Sequence, residues 1–389
     1  MIVGIGVLPY LYFFCKSKLR GIIMKIEFLK LLNFRNYSKL NLSFHPSLNI
    51  IYGKNGSGKT NLVEGIYVLA VTRSFRLASE KTLISLHTSL CKVEGNVYNR
   101  FKTNYQVFLS KDGKKVKINN NKVSRVSDYI SKITVVLFHP DDLRFIKDTP
   151  STRRKNLNIS ISLVTVEYLR YLNNYNKILK QRNAYLKQMF QHHNENSAYL
   201  NILTEKLVDY GIYLYQKRLE FVSAINEYID TIYKKIAGVG KLEIRYLSDY
   251  DCKNKEEILA MYQKNLEKDI MFGKTNVGIH TDDLKFLLDG KDLKEYGSEG
   301  QQKNAIISYK FSELEIFKEK TGTYPILILD DLFSELDQEK IENILSLLKC
   351  DYQTFITTTS LDHFKSLKEF SYKTIHIEQG SVVEESEHE

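Results

Sequence analysis

The chain has 389 residues, 43% of them hydrophobic and 26% charged, values that exclude a disordered chain and allow two domains or one large split one. A formal net charge of +10 favours a polyanionic partner such as nucleic acid. No two of Cys15, Cys91, Cys252 and Cys350 stand at metal-ligand spacing, which excludes a CxxC zinc or redox centre and fits a reducing cytoplasm.

The chain opens on MIVGIGVLPYLYFFC, an apolar run shorter than the roughly 20 residues that span a bilayer. It lacks a basic n-region and a small-residue cleavage site, so membrane targeting is not expected. Residues 1–23 are set apart as an extension, and the fold is expected to start at Met24. From there to about Pro140 the pattern is strand-rich, through KIEFLKLLNF, LNIIYG, YQVFLS, KKVKIN and ITVVLF. Asp112-Gly113 between alternating stretches is a hairpin signal.

Within this region GKNGSGKT, Gly53 to Thr60, matches G-x-x-x-x-G-K-[ST], with an apolar strand before it and a helix-like run after it. Glycines let backbone N–H groups wrap phosphates, and the helix N-terminus adds its positive end. Gly53, Lys54, Asn55, Gly56, Ser57 and Gly58 are expected to cradle the phosphates of ATP. Lys59 would reach the β- and γ-phosphates, and the Thr60 hydroxyl would ligate Mg²⁺.

Residues 161 to 237 repeat apolar side chains at three and four, as amphipathic helices do. Tyr168, Tyr171 and Tyr175 share one face there, and core packing is the better reading than a stacking platform for bases. Strand and turn signals return at 242–289. Then YGSEGQQKN, residues 296–304, precedes a helix-like run, and PILILDD ends a buried strand on Asp330 and Asp331. Asp330 suits the Mg²⁺ shell, and Asp331 suits the base that polarises the attacking water. TFITTT and TIHIEQG close the series. The expectation is an α/β, ABC-type P-loop ATPase head made from 24–140 and 278–389, with a mainly helical second lobe inserted at 141–277.

Ser298-Glu299-Gly300-Gln301 lies about thirty residues before the acidic strand, as the signature motif does in ABC-type ATPases. SELD, Ser334 to Asp337, stands where those proteins have a D-loop. With NFRNY, the P-loop helix through RSFR, LFHPDDLRFIKDTPSTRRKNL, NKILKQRNAYLK, GIHTDDL and GSEGQQKN in order, the chain resembles the RecF family of SMC-like ATPases. The resemblance implies ATP-dependent homodimerisation, slow ATP hydrolysis, binding to single-stranded, gapped or duplex DNA, and loading of RecA with RecO and RecR in support of the SOS response. It places Arg35 near the nucleotide and Ser298, Gly300 and Gln301 across a dimer interface on the partner's triphosphate. Three positions depart from the family pattern: Glu299 replaces Gln, Thr281 replaces Arg and Lys303 replaces Arg. His139 to Asp142 is the Q-loop candidate, and Thr358 or Thr359 stands at the switch position where transporters carry His.

A transporter nucleotide-binding subunit is disfavoured by the helical insert and that missing histidine. An SMC-like DNA clamp would need long heptad arms that the chain lacks. For DNA, the candidates are Lys111, Lys114, Lys115 and Lys117 on the hairpin and, preferred, Arg153, Arg154 and Lys155, three cations at an expected helix start.

Overall fold

The computed structural model describes residues 23–76, 79–192, 197–364 and 371–388; the proposed extension at 1–23 lies outside them except for its last residue. Strands β1 (Lys25–Phe34) and β2 (Tyr37–Ser43) form a hairpin, and β3 (Leu48–Tyr52) leads through the glycine loop into α1 (Lys59–Val71). There follow β4 (Leu90–Asn99), β5 (Phe101–Ser110), β6 (Gly113–Ile118), β7 (Asn121–Lys122), α2 (Val126–Tyr129) and β8 (Val135–Phe138). Three long helices come next: α3 (Pro150–Val164), α4 (Tyr168–His192) and α5 (Ser197–Ala237). Then come β9 (Leu242–Leu247), α6 (Lys255–Lys264), α7 (Leu266–Phe272), β10 (Asp283–Leu288), β11 (Lys291–Asp292), α8 (Leu293–Tyr296) and α9 (Glu299–Thr321). The chain closes with β12 (Ile326–Asp330), α10 (Gln338–Leu347), β13 (Thr354–Thr358), β14 (Tyr372–Glu378) and β15 (Ser381–His388).

Two six-stranded sheets enclose α1. One is antiparallel, in the order β2-β1-β4-β5-β6-β7; the other runs β15-β14-β3-β13-β12-β8 and is parallel except for β15. Strands β8, β12 and β13 are buried at every residue, as central parallel strands covered on both faces must be. Helix α1 touches β1, β4 and β5 on one side and β8, β12 and β13 on the other. That position explains why it is buried almost all round and not amphipathic. The carboxyl ends of β3, β8, β12 and β13 open on the glycine loop, His139, Asp331 and Thr358, the rim where open α/β sheets bind ligands.

The expected hairpin is present, but its two-residue turn is Lys111-Asp112, with Gly113 already paired to Ser110. Strands β2 and β4, which the sequence pattern did not signal, complete the antiparallel sheet. Tyr168 and Tyr175 are fully buried, and Tyr171 stacks on Tyr213 at 3.9 Å, so this stripe packs the helical region. The strand β9 pairs with β10 over six residues, from Leu242–Leu288 to Leu247–Asp283. That three-stranded sheet straddles the boundary anticipated at 277/278. Among the described residues, no helix is long and apolar enough to cross a membrane.

Buried ion pairs tie the helices to this small sheet. Arg218 reaches Asp282 at 2.7 Å and donates as well to the Ile279 carbonyl and Asn158. Arg153 forks onto Asp283 at 2.5 and 2.8 Å and donates to the carbonyls of Phe145, Ile146 and Asp148. With only 3% of its surface exposed, Arg153 is a packing residue. Its assignment to DNA is corrected on that ground: both faces of its guanidinium fork are filled by the protein. Arg154 is half-buried against the Asp282 carbonyl, and Lys155 is exposed. On the hairpin, Lys114 is likewise engaged, by Glu80 at 2.6 Å and the Thr72 carbonyl at 2.8 Å.

Candidate functional site

The glycine loop is gripped from two sides. On one, the β1–β2 turn supplies Tyr37, whose hydroxyl donates to the Gly58 carbonyl at 3.0 Å, and Asn36, whose amide reaches the Ser57 carbonyl. On the other, the Gly380 N–H of the β14–β15 turn donates to the Ser57 carbonyl at 2.8 Å. Two glycines are required by space and conformation together. A Cβ on Gly53 (φ 150°) would stand 2.3 Å from the Ile377 carbonyl oxygen, and one on Gly58 (φ 119°) 2.7 Å from the Asn36 side chain. Lys54, Asn55 and Gly56 form the exposed crest, while Ser57, Gly58 and Lys59 lie buried beneath it.

Lys59 curls under this crest and donates to the carbonyls of Gly53 at 2.7 Å and Lys54 at 2.9 Å. Burial lowers its pKa, partly offset by the charges of Asp331 and then Asp330. The acidic strand end is therefore close enough to act on the lysine. At the next residue, the Thr60 hydroxyl donates to Asp330 Oδ1 at 3.1 Å, across 270 residues of sequence. The Asp330 carboxylate is 1% exposed and accepts two further bonds, from the Thr357 hydroxyl at 2.7 Å and His139 Nδ1 at 2.8 Å. Burial works against a charge on His139, yet the hydrogen bond and charge of Asp330, with Asp141 and Asp142, outweigh it and raise its pKa.

Asp331 turns out of the strand with φ 49°, a left-handed conformation that Asp tolerates better than most residues. Its N–H donates to the Thr357 hydroxyl at 2.9 Å. Thr357 thus bridges the two aspartates, one residue before Thr358 and Thr359, which the sequence reading placed at the switch position. Thr358 instead donates to the Ser360 carbonyl and Thr359 is exposed. His139, at the start of the Q-loop candidate, joins the same cluster. Arg35 points elsewhere: its guanidinium forks onto buried Glu64 at 2.8 Å for both bonds and reaches Thr82. Its neighbours Asn36 and Tyr37, which the sequence reading passed over, are the residues that touch the glycine loop.

At the start of α9, Ser298 and Gln301 form a reciprocal cap. Ser298 Oγ accepts from the Gln301 N–H at 3.3 Å and Gln301 Oε1 from the Ser298 N–H at 2.9 Å. Glu299 stands 82% exposed and meets Lys147 at 3.4 Å, so its charge is partly met by a cation of the same chain. A Cβ on Gly300 would touch nothing within 4 Å, leaving this surface open. Thr281 fills its departure from the family pattern by bonding Asp249 at 3.0 Å. Ser334 of the D-loop candidate donates to the Asp331 carbonyl at 2.9 Å.

The donor set fits a triphosphate with a hard cation. Ser57 Oγ is buried at the loop without a hydrogen-bond partner, an uncommon condition that a phosphate oxygen would relieve. Thr60 and Asp330 present two oxygen ligands side by side. Among the described residues no group of three or more His, Cys, Asp or Glu could hold a metal alone. Mg²⁺ in phosphate sites needs only one or two protein oxygens, the remainder coming from phosphates and water.

Comparison with known proteins agrees with this geometry. The family described as RecF/RecN/SMC N terminal domain matches residues 25–382. The DNA replication and repair protein RecF of Ligilactobacillus salivarius is 37% identical over 372 residues, covering 93% of this chain and 98% of that protein. RecF of Streptococcus thermophilus is 39% identical over 368 residues, covering 93% and 99%. A solved structure of the recombination mediator protein RecF with ATP in the RecFOR pathway superposes with a TM-score of 0.86 at 33% identity, covering 94% and 99%. An Smc head domain from Pyrococcus furiosus, at 16% identity and a TM-score of 0.53, shares the fold alone. With its glycine loop, acidic strand and capped α9 set on the frame those proteins share, the chain belongs to the RecF/RecN/SMC family and, within it, to the RecF proteins.

Proposed function

We propose that the chain is an ATP-binding protein of DNA replication and repair that hydrolyses ATP slowly as a conformational switch. The observation that carries this reading is the meeting of Thr60 with Asp330 at 3.1 Å beneath Lys59. In it, the two halves of a phosphate site come from opposite ends of the chain. ATP lies along the loop, with Lys59 leaving the Gly53 and Lys54 carbonyls to reach the β- and γ-phosphates. Thr60 and Asp330 would hold Mg²⁺, which would supply charge neutralisation at the phosphates. Asp331 takes the proton of the water that attacks the γ-phosphorus, ADP leaves, and Thr357 fixes the spacing of the two aspartates.

The site is completed by a second copy of the chain, whose Ser298, Gly300 and Gln301 face the γ-phosphate. ATP thereby closes a homodimer on DNA, single-stranded, gapped or duplex, and the closed dimer works in the cytoplasm with RecO and RecR to load RecA and support the SOS response. The pathway named for the solved relative, and the names of the curated relatives, support this part. The test is the oligomeric state of the parent chain and of Lys59→Met, with and without ATP and with each DNA form. The parent is expected to dimerise with ATP and bind DNA more tightly, and Lys59→Met to stay monomeric. Equal ATP-dependent dimerisation of both would overturn the proposal.

A further inference from the structure

A cavity of about 700 Å³ lies between the C-terminal end of α1 and helices α3 and α4, and no residue of the glycine loop lines it. Among the described residues, six cationic side chains line it and one carboxylate, Glu80. Two of the six are neutralised, Lys114 by Glu80 at 2.6 Å and Arg218 by Asp282 at 2.7 Å. Arg73, Arg76, Arg154 and Lys155 remain. Arg154 donates to a backbone carbonyl, that of Asp282 at 2.5 Å. Burial, and then the charge of Arg218, lowers its pKa, against a partial counterweight from Asp282 and Asp283. A positive charge there is costly until an anion arrives.

The rest of the lining is of two kinds. Leu163, Leu169 and Leu172 give an apolar wall, and Asn173 and Asn176 line the cavity beside it, with Asn158, whose side-chain carbonyl accepts from Tyr168 and Arg218. Cations, an apolar wall and amides together match a nucleotide unit, with its phosphate, base face and base edge. The volume falls within the range that holds small ligands. A merely solvated charged face would not gather Arg73, Arg76 and Lys155, with the partly compensated Arg154, around one concavity, where their mutual repulsion is least screened.

We propose that this cavity is a second phosphate site, separate from the glycine loop, that takes the phosphate of a nucleotide unit, either within a nucleic-acid strand or as a free nucleotide. Its strand form rests on the DNA-binding reading above; its free-nucleotide form does not. In its strand form the proposal keeps Lys155 in nucleic-acid binding while its neighbour Arg153 loses that place.

The test uses the full chain carrying Arg73→Glu with Lys155→Glu. A second variant, Arg73→Gln with Lys155→Gln, removes the charges without adding any. ATP binding at the glycine loop reports that each variant is folded. The probes are a fluorescein-labelled oligothymidylate strand and ADP, the latter with Lys59→Met added to silence the glycine loop. If the source is a strand, charge reversal weakens oligothymidylate binding at least tenfold and flattens its salt slope by about two, one per lost phosphate contact. If the source is a free nucleotide, the Lys59→Met chain still binds ADP and loses it on charge reversal. Oligothymidylate binding that the substitutions leave unchanged, with no ADP bound in the Lys59→Met chain, overturns the inference and leaves the DNA reading standing. A parent chain that binds no strand defeats the DNA reading instead, and the ADP measurement alone then decides the inference.

Discussion

Replacing Arg153 with Ala separates packing from nucleic-acid binding at the cluster where the sequence suggested the latter. Its guanidinium makes two bonds to Asp283 and three to backbone carbonyls. Truncation leaves three carbonyl acceptors without this donor and the Asp283 carboxylate without its counter-charge, with the Leu284 N–H at 2.8 Å as its remaining bond. Breaking a buried ion pair costs roughly 3–5 kcal/mol. The Asp283 side chain is 26% exposed, so water can reach it, and the cost falls at the low end, about 3 kcal/mol. For 389 residues unfolding cooperatively at about 2.1 cal/mol/K per residue, the entropy of unfolding is roughly 0.8 kcal/mol/K, and the melting temperature drops by on the order of 4 °C. Lys at this position restores the charge but not the fork, and recovers only part of the loss. Calorimetry gives the first readout, and the salt dependence of oligonucleotide binding, measured well below the transition, gives the second. A melting temperature unchanged within about 1 °C, together with a salt slope reduced by about one, would refute the packing assignment.

Ser298→Arg is expected to bind ATP like the parent and to fail in ATP-dependent dimerisation, read by light scattering; full dimerisation would sink the two-subunit site. Thr357→Val removes the hydroxyl that serves both aspartates and leaves the Asp331 N–H without its acceptor. ATP turnover is expected to fall about tenfold, the equivalent of roughly 1.4 kcal/mol, with ATP affinity within about twofold of the parent. Parent-like turnover would show that the aspartates do not need this bridge. Gly53→Ala drives a methyl to 2.3 Å from the Ile377 carbonyl and is expected to abolish ATP binding, measured with a fluorescent ATP analogue. Retained affinity would mean that the loop and β14 can move apart.

What the sequence made legible was local. The glycine loop, the run ILILD and the Ser-Glu-Gly-Gln helix start each carry their chemistry within a few consecutive residues. Contacts that depend on distant partners were not visible. His139 meets Asp330 across 191 residues and Arg153 meets Asp283 across 130. Nothing near Arg153 tells an arginine that binds phosphate from one already satisfied inside the fold. Strand β4 escaped notice because Gly95 interrupts its apolar alternation. That glycine lets Leu69 of α1 pack against the strand, since a Cβ there would lie 2.6 Å from the leucine. Thr357 was passed over for its neighbours because three consecutive threonines are indistinguishable until the end of β13 aims one hydroxyl at Asp330.

The reciprocal cap between Ser298 and Gln301 bears on when the chain associates. An uncapped helix start would seek an anion continually, and a surface of that kind would pair copies regardless of nucleotide. Here the Ser298 N–H and hydroxyl oxygen and the Gln301 N–H and side-chain carbonyl are already bonded to one another within the same chain. In the proposed dimer, a triphosphate on a second copy would have to displace an internal interaction of about 1 kcal/mol per cap before gaining contacts of its own. On the proposed two-subunit site, the cap would act as a threshold that holds back pairing of empty copies and favours association of those that carry ATP.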